Sequence, residues 1–258
     1  MLLTRILSAA VLAPLVLLAV WFGGLWLAGL VVVAGGLMGW EWARLCNGGR
    51  LGTPGLFAIA TLAALAPAFV FAPPTTAPAV LGIGAAIAAA VAAGSRRDAW
   101  LPLGIVYIGL ACLALLWLRA VPQGGRELVF WLLAVVWATD TGAYFAGRAI
   151  GGPRLAPRIS PNKTWAGLIG GALSAALVGV LAAGLVGRDA MLLVVGGMVL
   201  AVVAQGGDLL ESWCKRRFGV KDSSHIIPGH GGILDRVDGL LAVLPVAFLY
   251  VWAAKESF

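Results

Sequence analysis

The chain has 258 residues, of which 61% are hydrophobic and 11% charged, and its mean hydropathy is +0.99. That excludes an ordinary soluble domain, where roughly 25% of residues carry charge. The net charge of +7 does not point to nucleic acid, because the basic residues lie between apolar runs. Cys46, Cys112 and Cys214 are far apart and lack CxxC spacing, so neither a disulfide framework nor a zinc site is indicated.

Uncharged runs of about 20 residues rich in Ala, Leu and Val spell membrane helices rather than barrel strands. The expected fold is all-α, a polytopic helical bundle in one domain, 1–258. Nine apolar segments follow one another at 5–22, 25–43, 56–72, 78–94, 100–118, 128–147, 165–186, 190–210 and 238–254. Arg5 and the apolar stretch after it have the start of a signal-peptide layout. No A-x-A site follows, however, so the first helix is expected to be retained. Only WFGG separates the first two segments, which predicts a tight hairpin. Pro14, Pro67 and Pro102 lie in or at the ends of segments. Residues 148–164 and 211–237 are the long polar connections. Abundant Gly and Ala permit close helix packing.

In a nine-helix reading, fourteen of the 18 Lys and Arg residues, Arg5, Arg96 and Arg97 among them, fall on one side of the membrane. Arg119, Arg126, Arg188 and Lys255 fall on the other. The positive-inside rule then puts the N-terminus and both long polar loops in the cytoplasm and the C-terminus outside.

Polar chemistry gathers in Ser212–Asp238, which holds both histidines of the chain. Just before it, the eighth segment closes with QGGDLLES. Spacings of three and four put Asp208, Glu211 and Ser212 on neighbouring parts of one face. Such acids are either helix-end groups reaching for water or ligands of a hard cation. Asp235 and Asp238 open the ninth segment around Arg236; they are candidates for helix capping or for the same cation. The connection predicts that these two helices are antiparallel neighbours with Asp208 facing Asp235. Two carboxylates in a partly dry site repel unless a cation lies between them, and oxygen ligands suit Mg²⁺.

Lys215, Arg216, Arg217 and Lys221 suit phosphate oxygens or, alternatively, anionic lipid heads. The PGHGG run at 228–232 would let backbone amides around His230, Gly231 and Gly232 nest a phosphate. His225 carries no assigned role. In the other polar connection Asp140 lies inside the sixth segment, as a helix-packing acid bonded to Thr141 or Tyr144 or as part of the site. Ser160-Pro161 and Lys163-Thr164 read as a helix start that turns amides and Lys163 toward an anion. Two basic half-sites on one membrane face point to a substrate with several phosphates.

These residues resemble the phosphatidate cytidylyltransferase family, the CDP-diacylglycerol synthases. The likeness rests on Ser212, Lys215, Arg216, Lys221, Asp222, Ser224, Ile227, Pro228, His230, Gly231, Gly232, Ile233, Asp235, Arg236, Val237 and Asp238. It extends to TDTGAYFAGR, SPNKTW and EWARL (residues 41–45). Cys214 stands where a larger apolar residue is usual. The family often has a basic residue at Asn162 and Glu at Ala166, so no role is carried to those positions. The likeness is strong over 137–239 and looser over 1–125, the variable N-terminal helices; 128–258 would hold the catalytic helices and cytoplasmic loops.

The resemblance implies CTP and phosphatidate as substrates and CDP-diacylglycerol and pyrophosphate as products. It also implies Mg²⁺ dependence, with room for a second cation, and a homodimer among the lipids of the bacterial inner membrane. Asp208 and Asp235 match the metal carboxylates. Lys215, Arg216, Lys221 and Arg236 would serve catalysis by holding phosphates. Asp140, Lys163, Ser212, Asp222, His230, Gly231, Gly232 and Asp238 would bind substrate. A CTP-dependent lipid kinase is the nearest alternative. A cation-coupled transporter would spread its acids through several helices instead of gathering them at one face.

Overall fold

The computed structural model describes residues 2–92, 98–186 and 189–256. Arg96, Arg97 and Arg188, which entered the loop charge count, lie outside these residues. Nine α-helices occur among the described residues. Seven of them are long and apolar enough to cross a membrane, and shorter apolar helical stretches cover Leu7–Phe22 and Thr76–Ala92. Large apolar side chains such as Trp26, Leu173, Leu185 and Leu249 point outward, as lipid-facing residues do. The molecule is an integral membrane protein with an all-α bundle fold.

The chain divides into two compact units, Met1–Val121 with Arg217–Val237, and Pro122–Arg216 with Asp238–Phe258. The first holds α1 (Leu2–Phe22), α2 (Gly24–Cys46), α3 (Thr53–Phe71), α4 (Thr76–Ala92) and α5 (Leu101–Ala120). Gly23, at φ +64°, makes the expected hairpin turn between α1 and α2. The Arg119 guanidinium donates to the carbonyls of Val20 (2.6 Å) and Trp21 (2.9 Å). It thereby closes the C-terminal end of α1, where carbonyls lack helical partners. α3 packs against α2, α4 and α5, and Leu62, Leu65, Ile105 and Ile108 are fully buried there.

The second unit holds α6 (Gly125–Ala149), β1 (Arg154–Ala156), β2 (Ser160–Thr164), α7 (Trp165–Val186) and α8 (Ala190–Arg217). It also takes α9 (Leu234–Glu256) from Asp238 onward. Small residues set the helix approaches. Gly142 lies against Ser174 and Gly170 against Ala146, so α6 and α7 touch without intervening side chains. Gly207 lies against the Asp238 carbonyl and Ala242, bringing α8 onto α9.

Two local readings of the sequence are corrected. Residues 160–164 are not the first turn of a helix but the second strand of a small antiparallel ribbon, with Ala156 opposite Ser160 and Arg154 opposite Thr164. Pro161 disfavours helical backbone in the residue before it, and the helix begins at Trp165. The connection expected over 211–237 is also shorter. α8 continues through Lys215, Arg216 and Arg217, and Gly219 follows at φ +75°. No breaker precedes that glycine, and cations in a last turn are favoured by the helix dipole.

Candidate active site

In the second unit the site is built around Asp208 on α8. β2 delivers Lys163, and the next residue, Thr164, is buried and accepts the Gly167 amide at 3.0 Å on Oγ1, which caps α7. Thus fixed, Lys163 places its Nζ 2.7 Å from Asp208 Oδ2 and donates to Gln205 Oε1 at 2.8 Å. Ser212 Oγ, one turn beyond Asp208, donates to its Oδ1 at 3.2 Å. Asp238 lies within electrostatic reach of Asp208, Asp140 and Lys215. Lys215 is itself buried and paired with Glu211 at 3.0 Å across one helical turn. Several carboxylates are therefore gathered in one unit with Lys163 and Lys215 as counter-charges. Near Asp140, Thr141 donates to the Trp137 carbonyl of its own helix, and Tyr144 packs edge-on against Phe145.

In the first unit the segment from Phe218 to Ile233 folds as an anchored loop. Phe218 meets Trp42 and Trp100 edge-on, with ring centroids 6.3 and 6.1 Å apart. Ile227 and Gly231 form a two-way backbone bridge, and the His230 amide also donates to the Ile227 carbonyl at 2.9 Å. Gly229 and Gly231 take φ of 77° and 87°, a conformation that costs glycine little. Asp235, in the first turn of α9, is buried. Its Oδ2 accepts from the amides of Ser223 and Gly232, both at 2.9 Å, and from Ser223 Oγ at 2.8 Å.

This corrects the reading of PGHGG as an open phosphate nest. The amides of His230 and Gly231 close the turn on Ile227, and that of Gly232 is held by Asp235. What the turn presents instead is the His230 side chain, whose Nδ1 is buried without a hydrogen-bond partner among the described residues. An unsatisfied buried nitrogen is costly, so this atom is a candidate for a substrate contact.

Asp140, Lys163, Asp208, Ser212, Lys215 and Asp238 are thus brought together in the second unit. His230, Gly231, Gly232 and Asp235 belong to the loop of the first. Arg216, Lys221, Asp222 and Arg236 are exposed, and the three basic ones suit anionic ligands or lipid heads. Sequence reasoning assigned no role to Gln205 and Glu41, and took Glu211 as a helix-end acid or a cation ligand rather than as the partner of Lys215. Gln205 and Glu211 take their meaning only from their lysine partners. Glu41 had a visible signal, a lone acid inside an apolar run.

Residues 3–254 match the model of the Cytidylyltransferase family. The chain is 41% identical over 252 residues to a phosphatidate cytidylyltransferase of Brucella suis, covering 96% of this chain and 92% of that protein. It is 44% identical over 161 residues to the phosphatidate cytidylyltransferase of Bacillus subtilis, covering 61% of this chain and 59% of that one. A Rickettsia felis protein of the same name is 39% identical over 157 residues, with 58% and 69% covered.

Proposed function

This chain belongs to the cytidylyltransferase family, and we propose that it transfers the cytidylyl group of CTP to phosphatidate, giving CDP-diacylglycerol and pyrophosphate for phospholipid synthesis. The observation that carries this is the end-to-end likeness to relatives bearing that name. The polar clusters supply chemistry of the right kind.

In this reaction a phosphate oxygen of phosphatidate attacks the α-phosphorus of CTP. A new P–O bond forms, the bond to the bridging oxygen breaks, and pyrophosphate leaves with its electron pair. A phosphomonoester with a second pKa of about 6 is already largely ionised at neutral pH, so no strong base is required. The work left is to align two anions and offset their charge. Lys163 supplies positive charge at a position fixed by Asp208 and Gln205. Lys215 is oriented by Glu211. By the resemblance, Arg216, Lys221 and Arg236 would hold the triphosphate or the lipid phosphate, and Asp140, Ser212, Asp222, Asp238 and the HGG turn would contact substrate. His230 would offer its ring nitrogen to the nucleotide.

Carboxylate oxygens such as those of Asp208 are the hard donors Mg²⁺ takes, although the described residues contain no group of three or more His, Cys, Asp or Glu side chains placed to hold an ion. By the family resemblance alone, Asp208 and Asp235 are the residues that would hold the ion. Bound there, it would neutralise and orient phosphate oxygens. The charge asymmetry of the loops supports cytoplasmic placement of the N-terminus and both polar connections in a bacterial inner membrane. The same reading includes a homodimer, with the diacyl tails left in the bilayer. The test is incubation of purified protein with CTP, phosphatidate and Mg²⁺. A liponucleotide with pyrophosphate supports the proposal; CDP with a newly phosphorylated lipid would replace it with a kinase.

A further inference from the structure

Glu41 is fully buried within α2, a helix long and apolar enough to span a membrane. A carboxylate is expensive in such a place unless several donors meet it. Those donors all come from one segment far away in sequence. Ser224 Oγ donates to Oε1 at 2.6 Å, the Ile233 amide to Oε1 at 2.8 Å, and the Leu234 amide to Oε2 at 2.8 Å. Ile233 and Leu234 stand at the N-terminal end of α9, where amides lack helical acceptors and negative charge is favoured. Glu41 therefore does the work of a helix cap from another helix, and its one carboxylate grips both sides of the PGHGG turn.

Other contacts make the same attachment. Trp42, next in sequence, receives Phe218 at the start of the loop, and Ser8 Oγ on α1 donates to the Pro228 carbonyl at 3.0 Å. Gly232 has no room for a side chain, because a Cβ there would run into Ser223 Oγ and Glu41 Oε1. That glycine is thus explained by the approach of Glu41 rather than by a phosphate.

We infer that Glu41 is a positioning residue for nucleotidyl transfer, which holds the 223–234 turn in the shape that presents His230 and the start of α9 to substrate. The inference rests on the function proposed above. It makes the N-terminal helices part of the catalytic apparatus.

Purified full-length protein with Glu41→Gln, Glu41→Asp or Ser224→Ala is assayed with CTP, phosphatidate and Mg²⁺, and backbone hydrogen exchange is followed over the loop. In Glu41→Gln an amide NH₂ replaces one acceptor and meets a donor. The expected result is faster exchange in 223–234, unchanged exchange in α6–α8, and a KM for CTP raised about tenfold or more. Glu41→Asp, which keeps the charge on a shorter arm, recovers part of the loss. Ser224→Ala, which removes one donor only, raises KM by about two- to tenfold. Wild-type loop exchange and KM in Glu41→Gln overturn the inference. So does an activity loss that only tracks the amount of folded protein with KM unchanged. If Glu41→Gln does not fold, wild-type exchange and KM in Ser224→Ala overturn it as well. A wild-type protein that makes no liponucleotide defeats the parent function, and the exchange measurement still decides whether Glu41 holds the loop.

Discussion

Lys163 and Asp208 are joined by an ion pair of 2.7 Å, 45 residues apart in sequence, with side chains only 17% and 32% exposed. The pair ties the ribbon between α6 and α7 to the polar end of α8. It also gives Asp208 a counter-charge in the presence of Asp238 and Asp140. Replacement of Lys163 by Met should therefore lower nucleotidyl transfer by about tenfold or more, through loss of positive charge near the reacting phosphates. Stability should change by only about 1 kcal/mol, because the pair is partly solvated. Steady-state kinetics and thermal unfolding of the purified variant check both. Lys163→Arg should restore part of the rate.

The two carboxylates matched to the metal sit in different surroundings and should fail differently. Asp208 has one lysine and one hydroxyl as partners, whereas Asp235 Oδ2 accepts three donors from its loop. Asp208→Asn should lose transfer with little change in unfolding temperature. Asp235→Ala should lose transfer and also destabilise the protein by about 1–3 kcal/mol, since it strands buried donors. Calorimetry or a dye-free melting assay in detergent separates the two.

Adjacent glycines at 206 and 207 provide a packing test. A Cβ on Gly207 would lie 2.6 Å from the Asp238 carbonyl and 2.7 Å from Ala242 Cβ, while one on Gly206 would meet nothing within 4 Å. Gly207→Val should push α9 off α8, cost about 1–3 kcal/mol and lower activity by displacing Asp238. Gly206→Ala should be neutral or slightly stabilising, because alanine loses less backbone entropy in a helix. Paired unfolding curves and rates decide this.

Removal of divalent cations with a chelator should abolish transfer without unfolding the bundle, and Mg²⁺ should restore it. Any rate left in Asp208→Asn should need a higher Mg²⁺ concentration to reach half its maximum. Residual activity unchanged by chelation would contradict the metal assignment.

Much of this was legible in the sequence, for a physical reason. In lipid the backbone must be satisfied within each helix, so apolar run length alone located the helices to within a few residues of their observed ends, except that α8 runs on past its apolar part to Arg217. Asp208 and Lys163 were both visible as polar residues at the edges of such runs. Their pairing was not, because it depends on the ribbon at 154–164, where Pro161 and Thr164 read as a helix start. The PGHGG turn was correctly seen as a special backbone. Its amides were misread, since local hydrogen bonds to Ile227 and Asp235 outcompete an open nest. Glu41 was quoted only within EWARL and given no role; its partners lie more than 180 residues away, and no local pattern encodes a contact of that range.

The central claim is that the α-phosphorus of CTP ends on the lipid. CTP labelled at the α-phosphate, and separately at the γ-phosphate, is incubated with purified protein, phosphatidate vesicles and Mg²⁺. The α-label should appear in a lipid-soluble liponucleotide and the γ-label in pyrophosphate. γ-Label in the lipid with α-label remaining in CDP would contradict the account.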